Sequence, residues 1–203
     1  MDWLAFEREF WNQGLELVAG VDEVGRGCLA GPVAAAAVIL PLDFSLPGIN
    51  DSKKLSAQQR EELFPKIQEK ALAHAVVFVS VEEIDRINIL EASLKAMQQA
   101  VEKLSPKPQA LLIDGKIALR KTKLPQRPLI QGDSRSASIA AASILAKVTR
   151  DRWMTSQEAH YPQFGFAKHK GYGTKQHREA LSQYGITPLH RKTFAPVKQL
   201  ALL

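Results

Sequence analysis

Two neighbouring carboxylates, Asp22 and Glu23, close an apolar run and are followed at once by Gly25-Arg26-Gly27. Side-by-side carboxylates repel unless a cation or a proton relieves them. Glycines let the backbone approach a ligand closely, and an arginine presents a fork of donors matched to phosphate. Acids that call for a hard cation, beside donors for a phosphate, outline a site that processes phosphodiesters. Two more acids stand in comparable places, Asp114 before Gly115 and Asp133 after Gly132. Four carboxylates in one pocket cannot all stay ionised and unpaired. Oxygen-only ligands select Mg2+ or Mn2+, whereas zinc prefers His and Cys. Two such ions clamp a phosphodiester for in-line attack by water. Taken singly, each acid reads as a turn former or a helix cap; only their convergence makes a site.

Convergence requires strand ends. Residues 17–24 read as an apolar strand, and Val33–Leu40 as a second, with a link short enough for an antiparallel hairpin. Ser56-Ala57-Gln58-Gln59 is a capping box that opens a helix to about Leu72. Further strands are expected over Ala75–Ser80, Gln109–Ile113 and Pro128–Gln131. Further helices are expected in a short turn after Ser80, over Leu90–Leu104, from Ser136 to Glu158 and over Lys175–Tyr184. A hairpin followed by strands alternating with helices indicates an α/β fold, a mixed central sheet flanked by helices. Ligands collect beyond the strand ends of such sheets, where all four acids would lie. Adjacent strand residues point to opposite faces, so the strand is expected to twist, bulge or end at Asp22-Glu23. Asp151 competes for the fourth place. A continuous helix separates it from Asp133 by about 27 Å, and its position four residues after Lys147 marks it as an ion-pair partner.

The 203 residues suit one domain, and the net charge of +6 is unevenly spread. Residues 160–203 hold seven Lys or Arg against one acid, while residues 1–159 balance at 20 each. We read 1–159 as a catalytic core and 160–203 as a basic C-terminal extension packed on it, within one structural domain. Interleaved with Tyr161, Phe164, Phe166 and Tyr172, this charge points to a nucleic acid, the alternative being a solvated positive face. Tyr172 lies between two glycines behind Lys168, His169 and Lys170, as stacking with phosphate contact requires; a core-anchored tyrosine is the alternative. Lys53 and Lys54 read equally as phosphate contacts or a solvated loop. His169 and His177, eight apart across a glycine-rich turn, lack a helical ligand spacing and read as phosphate contacts or surface rather than zinc ligands. The single cysteine, Cys28, sits among small apolar residues and reads as a buried filler in a reducing compartment. With a charged N-terminus and no stretch of ~18 apolar residues, a cytoplasmic protein without membrane contact is expected. Nothing in the sequence demands a partner chain, so a monomer is expected.

Six stretches together resemble ribonuclease HII. They are Asp22-Glu23-Val24-Gly25-Arg26-Gly27, Asp51-Ser52-Lys53-Lys54-Leu55-Ser56, Asn88-Ile89-Leu90-Glu91-Ala92-Ser93, Gly132-Asp133, the run from Ser138 to Asp151, and His169-Lys170-Gly171-Tyr172-Gly173-Thr174. They stand in the family's order across roughly residues 18–197. The resemblance implies an RNase H-like fold and a metal-dependent endonuclease. Such an enzyme cuts the RNA strand of RNA–DNA hybrids, and duplex DNA on the 5′ side of embedded ribonucleotides, leaving 5′-phosphate and 3′-hydroxyl ends. By that resemblance Asp22, Glu23, Asp114 and Asp133 hold two divalent ions. Gly25, Arg26 and Gly27 sense the 2′-hydroxyl, and Tyr172 stacks where RNA becomes DNA. The tail Gln199-Leu200-Ala201-Leu202-Leu203 resembles peptides that dock on bacterial sliding clamps, its alternative being a tail packed on its own domain.

Overall fold

The run Val33–Ile39 is buried along its whole length, a pattern that suits a central strand covered on both faces. The computed structural model, which describes residues 2–200, makes it β2 of a five-stranded sheet. The other strands are β1 (Val18–Val24), β3 (Ala73–Val79), β4 (Ala110–Asp114) and β5 (Gln126–Leu129). Their order is β3-β2-β1-β4-β5, with β1–β2 and β2–β3 antiparallel and β1–β4 and β4–β5 parallel. The expected hairpin and mixed sheet are both present.

Eight helices accompany the sheet among the described residues: α1 (Ala5–Trp11), α2 (Ala57–Lys70), α3 (Val81–Ile87), α4 (Ile89–Lys103), α5 (Ala137–Ser156), α6 (Phe166–His169), α7 (Lys175–Tyr184) and α8 (Val197–Leu200). The Ser56 capping box starts α2 as its sequence dictates, and Ser136 caps α5. Ala96, Met97 and Ala100 of α4 pack on Ala19, Val21, Ala35 and Ala37 on one face of the sheet. Ala140, Ala141 and Ile144 of α5 pack on Ala36 and Val38 on the other. The small residues of that face let α5 lie close against β1; a Cβ at Gly20 would fall inside the Ser138 backbone.

Two differences from the sequence reading have physical causes. The fifth strand lies over 126–129 rather than 128–131. The Gln126 amide clasps the Leu119 backbone at both its N–H and its carbonyl, while Gln131 turns left-handed at φ 55° and ends the pairing. Helix α1 has no side-chain cap to announce it. It is held by packing of Phe6, Phe10 and Trp11 and by buried Glu7, which accepts from Ser136 Oγ at 2.6 Å and from the Ser138 amide at 2.9 Å.

The last stretch builds its own apolar cluster, in which Phe164, Phe166, Ala180, Leu181 and Val197 meet Leu29, Ala30 and Met154. Isolated bridges Cys28–Tyr172 and Ala30–His190 stitch it to the connection between β1 and β2.

Candidate active site

Register explains why three of the acids meet. β1 and β4 pair in parallel through Val21–Ile113, so the next residue of each, Asp22 and Asp114, stand side by side on the same face of the sheet. Asp133 follows β5 in a single 3-10 turn, Gly132–Ser134, and the Gly132 amide donates to Asp114 Oδ1 at 2.7 Å. One oxygen from each of Asp22, Asp114 and Asp133 lies within 4.8 Å of the others. Asp22 and Asp133 are buried, at 4% and 3% exposure. Burial, then the charges of Glu23 and Asp114, pushes the Asp22 carboxyl well above the usual carboxylate range, against a hydrogen bond from Ser143. Burial and the charge of Asp133 raise Asp114 as well.

Glu23 stands apart from this triad. β1 neither bulges nor ends at the carboxylate pair, two of the three departures that the sequence reading allowed, a twist being the third. Its pairing with β2 runs on regularly through Asp22–Ala36, Glu23–Ala35 and Val24–Ala34. Asp22 therefore faces α5 and Glu23 faces the α4 side. Pairing of β1 to β4 has stopped two residues before Glu23, which leaves its side chain at the open strand end. Arg26 Nη1 reaches Glu23 Oε1 at 3.0 Å, while Glu23 Oε2 is buried without a partner. Burial raises the Glu23 pKa, Arg26 opposes it, and the charge of Asp114 adds to it.

Buried carboxylates that repel, an orphaned buried carboxylate oxygen and an all-oxygen donor set fit hard divalent cations. Lys53 supplies a positive charge to the cluster, its Nζ 3.0 Å from Asp133 Oδ2. Burial disfavours that charge, yet the hydrogen bond and charge of Asp133 outweigh it and raise the Lys53 pKa. Lys54 is exposed beside it.

The Gly25-Arg26-Gly27 turn is built on two buried arginines that the sequence reading missed. Arg191 donates to the carbonyls of Gly25 at 2.7 Å, Arg26 at 2.9 Å and Gly31 at 3.0 and 2.8 Å. Arg150 donates to those of Pro32 at 2.9 Å, Ala30 at 3.1 Å and Lys170 at 3.0 Å. Both are fully buried, and neither forms an ion pair with a carboxylate among the described residues. Burial lowers the Arg191 pKa to about 10, so the guanidinium stays charged at neutral pH. Gly25, at φ +92°, rests on Arg150, and a Cβ there would fall inside that guanidinium. Gly27 is exposed, and a Cβ there would meet nothing. Arg150 was detectable in principle, since it shares an apolar stripe of α5 with Ser143, Ala146 and Met154, all buried. Arg191 carries no such signal, and its place in the charge count was misleading, because it offers nothing to a surface partner.

Tyr172 is half-exposed, with Lys147 Nζ 5.3 Å and Arg150 Cζ 6.0 Å from its ring centre. Lys147 also pairs with Asp151 at 2.9 Å, as its spacing indicates. Lys170 lies along the surface, its Nζ donating to Thr155 Oγ1 at 2.7 Å and to the Ala167 carbonyl. The expectation of surface or phosphate-bound histidines is overturned: His169, His177 and His190 are buried together among Phe164 and Phe166. Cys28 is buried, as expected of a filler. The tail from Gln199 to Leu203 lies only partly within the described residues, and there Leu200 packs on the C-terminal cluster.

Residues 19–197 match the family model of ribonuclease HII. The chain is 58% identical over 195 residues to the ribonuclease HII of Leuconostoc mesenteroides, covering 96% of this chain and 76% of that one. Its fold is similar to that of ribonuclease H2 from Pyrococcus horikoshii, with a TM-score of 0.76 at 29% identity over 90% of this chain and 96% of that one. It is likewise similar to the ribonuclease HII in a complex with PCNA from Archaeoglobus fulgidus, with a TM-score of 0.73 at 28% identity, covering 88% and 95%. The strand-end acids, the sheet that carries them and these likenesses agree, and the chain belongs to the ribonuclease HII family of metal-dependent endoribonucleases.

Proposed function

We propose that this protein cleaves the RNA strand of RNA–DNA hybrids and nicks duplex DNA on the 5′ side of embedded ribonucleotides, leaving 5′-phosphate and 3′-hydroxyl ends. The carrying observation is the meeting of Asp22, Asp114 and Asp133 within 4.8 Å at the strand ends, beside a glycine turn open to solvent at Gly27. In this reading Asp22, Glu23, Asp114 and Asp133 hold two divalent ions, Mg2+ or Mn2+. Bound there, such ions activate a water and steady the charge on the leaving oxygen. Glu23 would join the set through Oε2, which is buried without a partner.

The remaining residues discriminate. Only the 2′-hydroxyl separates RNA from DNA at one nucleotide, and reading it needs groups pressed against the sugar. Gly27 leaves that space free, and Gly25 and Arg26 are fixed through their carbonyls by Arg191, while the Arg26 guanidinium, one nitrogen of which meets Glu23, keeps further donors for the phosphate backbone. Tyr172 stacks at the RNA–DNA junction, while Lys53, Lys54 and Lys170 line the approach of the phosphates.

The test is a duplex with one ribonucleotide beside its all-deoxy twin, each with and without Mn2+ or Mg2+. Cutting of the first alone, 5′ to the ribonucleotide and only with metal, is expected; equal cutting of both would overturn the reading.

The same reading places the protein in the cytoplasm, as a monomer acting in ribonucleotide excision repair. The one cysteine is free and buried, and no helix among the described residues is long and apolar enough to cross a membrane. Docking of Gln199–Leu203 on a sliding clamp belongs to the proposal too, supported by the PCNA complex of the Archaeoglobus fulgidus enzyme. Deleting the last five residues should abolish clamp pull-down and spare cleavage.

A further inference from the structure

His169, His177 and His190 are buried in contact with one another, and their partners fix where each proton sits. A neutral imidazole has one donor and one acceptor nitrogen, and a carbonyl can only accept. His169 Nε2 faces the Phe164 carbonyl at 2.7 Å and so carries the hydrogen, leaving Nδ1 to accept the Gly171 amide at 3.2 Å. His177 Nδ1 faces the Tyr172 carbonyl at 3.0 Å and must carry the hydrogen of that ring. Its Nε2 is then a lone pair, so His190 Nε2, 3.0 Å away, is the donor. His190 Nδ1 in turn accepts from the Thr187 amide and hydroxyl, each at 2.9 Å. The chain has one direction, from Thr187 through His190 and His177 to the Tyr172 carbonyl.

That carbonyl already accepts the Thr174 amide at 2.8 Å, so the second donor is not there to rescue an unsatisfied group. Its effect is positional. The rings of His169 and His177 stack at 4.4 Å, and between them they hold the Gly171 amide and the Tyr172 carbonyl, on the two sides of the tyrosine. The Leu29 amide already holds the Gly171 carbonyl at 2.8 Å and Cys28 bridges to Tyr172, so the two imidazoles add a second hold, from the other side, on an aromatic flanked by two glycines.

We propose that His177, in the Nδ1–H tautomer imposed by His190, is a positioning residue that holds Tyr172 for stacking on the nucleic acid. The proposal rests on the stacking role given to Tyr172 above.

Long-range proton–nitrogen correlation spectra of the whole enzyme at neutral pH test the first half without any substrate. The His177 ring, identified by its loss in His177→Asn, should be protonated on Nδ1 alone, and His169 and His190 on Nε2 alone. A His177 ring protonated on Nε2, or on both nitrogens, overturns the proposal. Kinetics on a single-ribonucleotide duplex test the second half. His177→Phe keeps a ring and loses the donor; His177→Asn keeps a donor in the place of Nδ1. The phenylalanine variant should lose about tenfold in kcat/KM, the scale of one base–aromatic stack, mostly through KM. Asparagine should restore most of it, and His177→Phe should cost nothing further once Tyr172 is alanine. An equal loss in the Tyr172→Ala background overturns the proposal. If Tyr172→Ala alone leaves cleavage unchanged, the stacking role falls and takes the positioning role with it, while the spectrum still reports the tautomer.

Discussion

Lys53 Nζ stands 3.0 Å from the buried Oδ2 of Asp133, so the acid cluster already holds a cation tethered to the chain. An incoming divalent ion competes with it. Lys53→Met should therefore tighten Mn2+ binding to the free protein by about fivefold, the order of one charge–charge interaction near a protein surface. Titration calorimetry without nucleic acid measures this. Unchanged or weaker binding would show that Lys53 does not compete with the metal.

Asp22 is destabilising in the metal-free protein. Its folded pKa lies well above that of an unfolded aspartate, so the folded chain binds the extra proton and stability falls as pH rises through that interval. Asp22→Asn should abolish cleavage yet raise the metal-free melting temperature by about 3 °C or more at neutral pH. Mn2+ should raise the melting temperature of the wild type and do far less for the variant. Calorimetric scans with and without metal decide it.

Gly25 and Gly27 are glycines for different reasons, and alanine separates them. Gly25→Ala forces a left-handed alanine into the Arg150 guanidinium and should cost about 1–3 kcal/mol of stability. Gly27→Ala meets nothing and should change stability by less than about 0.5 kcal/mol. On the proposed reading it should nevertheless reduce cleavage at a single ribonucleotide, by filling the space that the reading gives to the sugar. Denaturant melts read the first contrast and the cleavage assay the second.

Arg191 makes four hydrogen bonds to carbonyls of the 25–31 segment. Arg191→Lys keeps the charge but cannot span them and should cost about 3 kcal/mol, charged hydrogen bonds being worth about 1.5–3 each. Urea unfolding tests this, and a cost below 1 kcal/mol would show that the fork is dispensable.

The histidine chain makes stability depend on pH with a defined sign. Burial first, then the neighbouring imidazoles, hold His177 and His190 to about pKa 4, with Glu158 and Lys170 the charges near His169. Unfolded histidine titrates near 6.5, so between about pH 6.5 and 4 the unfolded chain takes up protons that the folded one refuses. Their contribution is complete above about pH 6.5 and is lost as pH falls towards 4. Other acids titrate in that window, so the informative quantity is the difference between wild type and His177→Asn. The variant should have a shallower loss of melting temperature from pH 7 to 5.

The sheet and its acids were legible because period and punctuation agree there: apolar runs end at Asp22-Glu23, Asp114-Gly115 and Gly132-Asp133. The capping box at Ser56 and the pairing of Lys147 with Asp151 were equally local, and both hold. What depends on distant partners was hidden. Arg191, His177 and His190 look like surface residues in a basic segment, and only the fold shows them buried on carbonyls and on one another. At Glu23 the parity of the strand was legible and its outcome was not, because a twist, a bulge or an end of β1 was expected there. The structure keeps the parity and shortens the neighbouring strand instead.

The two halves of the site draw on different stretches of the chain. Asp22, Asp114 and Asp133 all precede α5, and the sheet that gathers them is complete once residue 129 has joined it. The glycine turn, although it follows Asp22 by only a few residues, waits for Arg191 to take hold of its carbonyls. The conformation of the turn beside the acids therefore depends on a residue near the far end of the chain. The C-terminal stretch acts as a latch, closing a loop near the beginning.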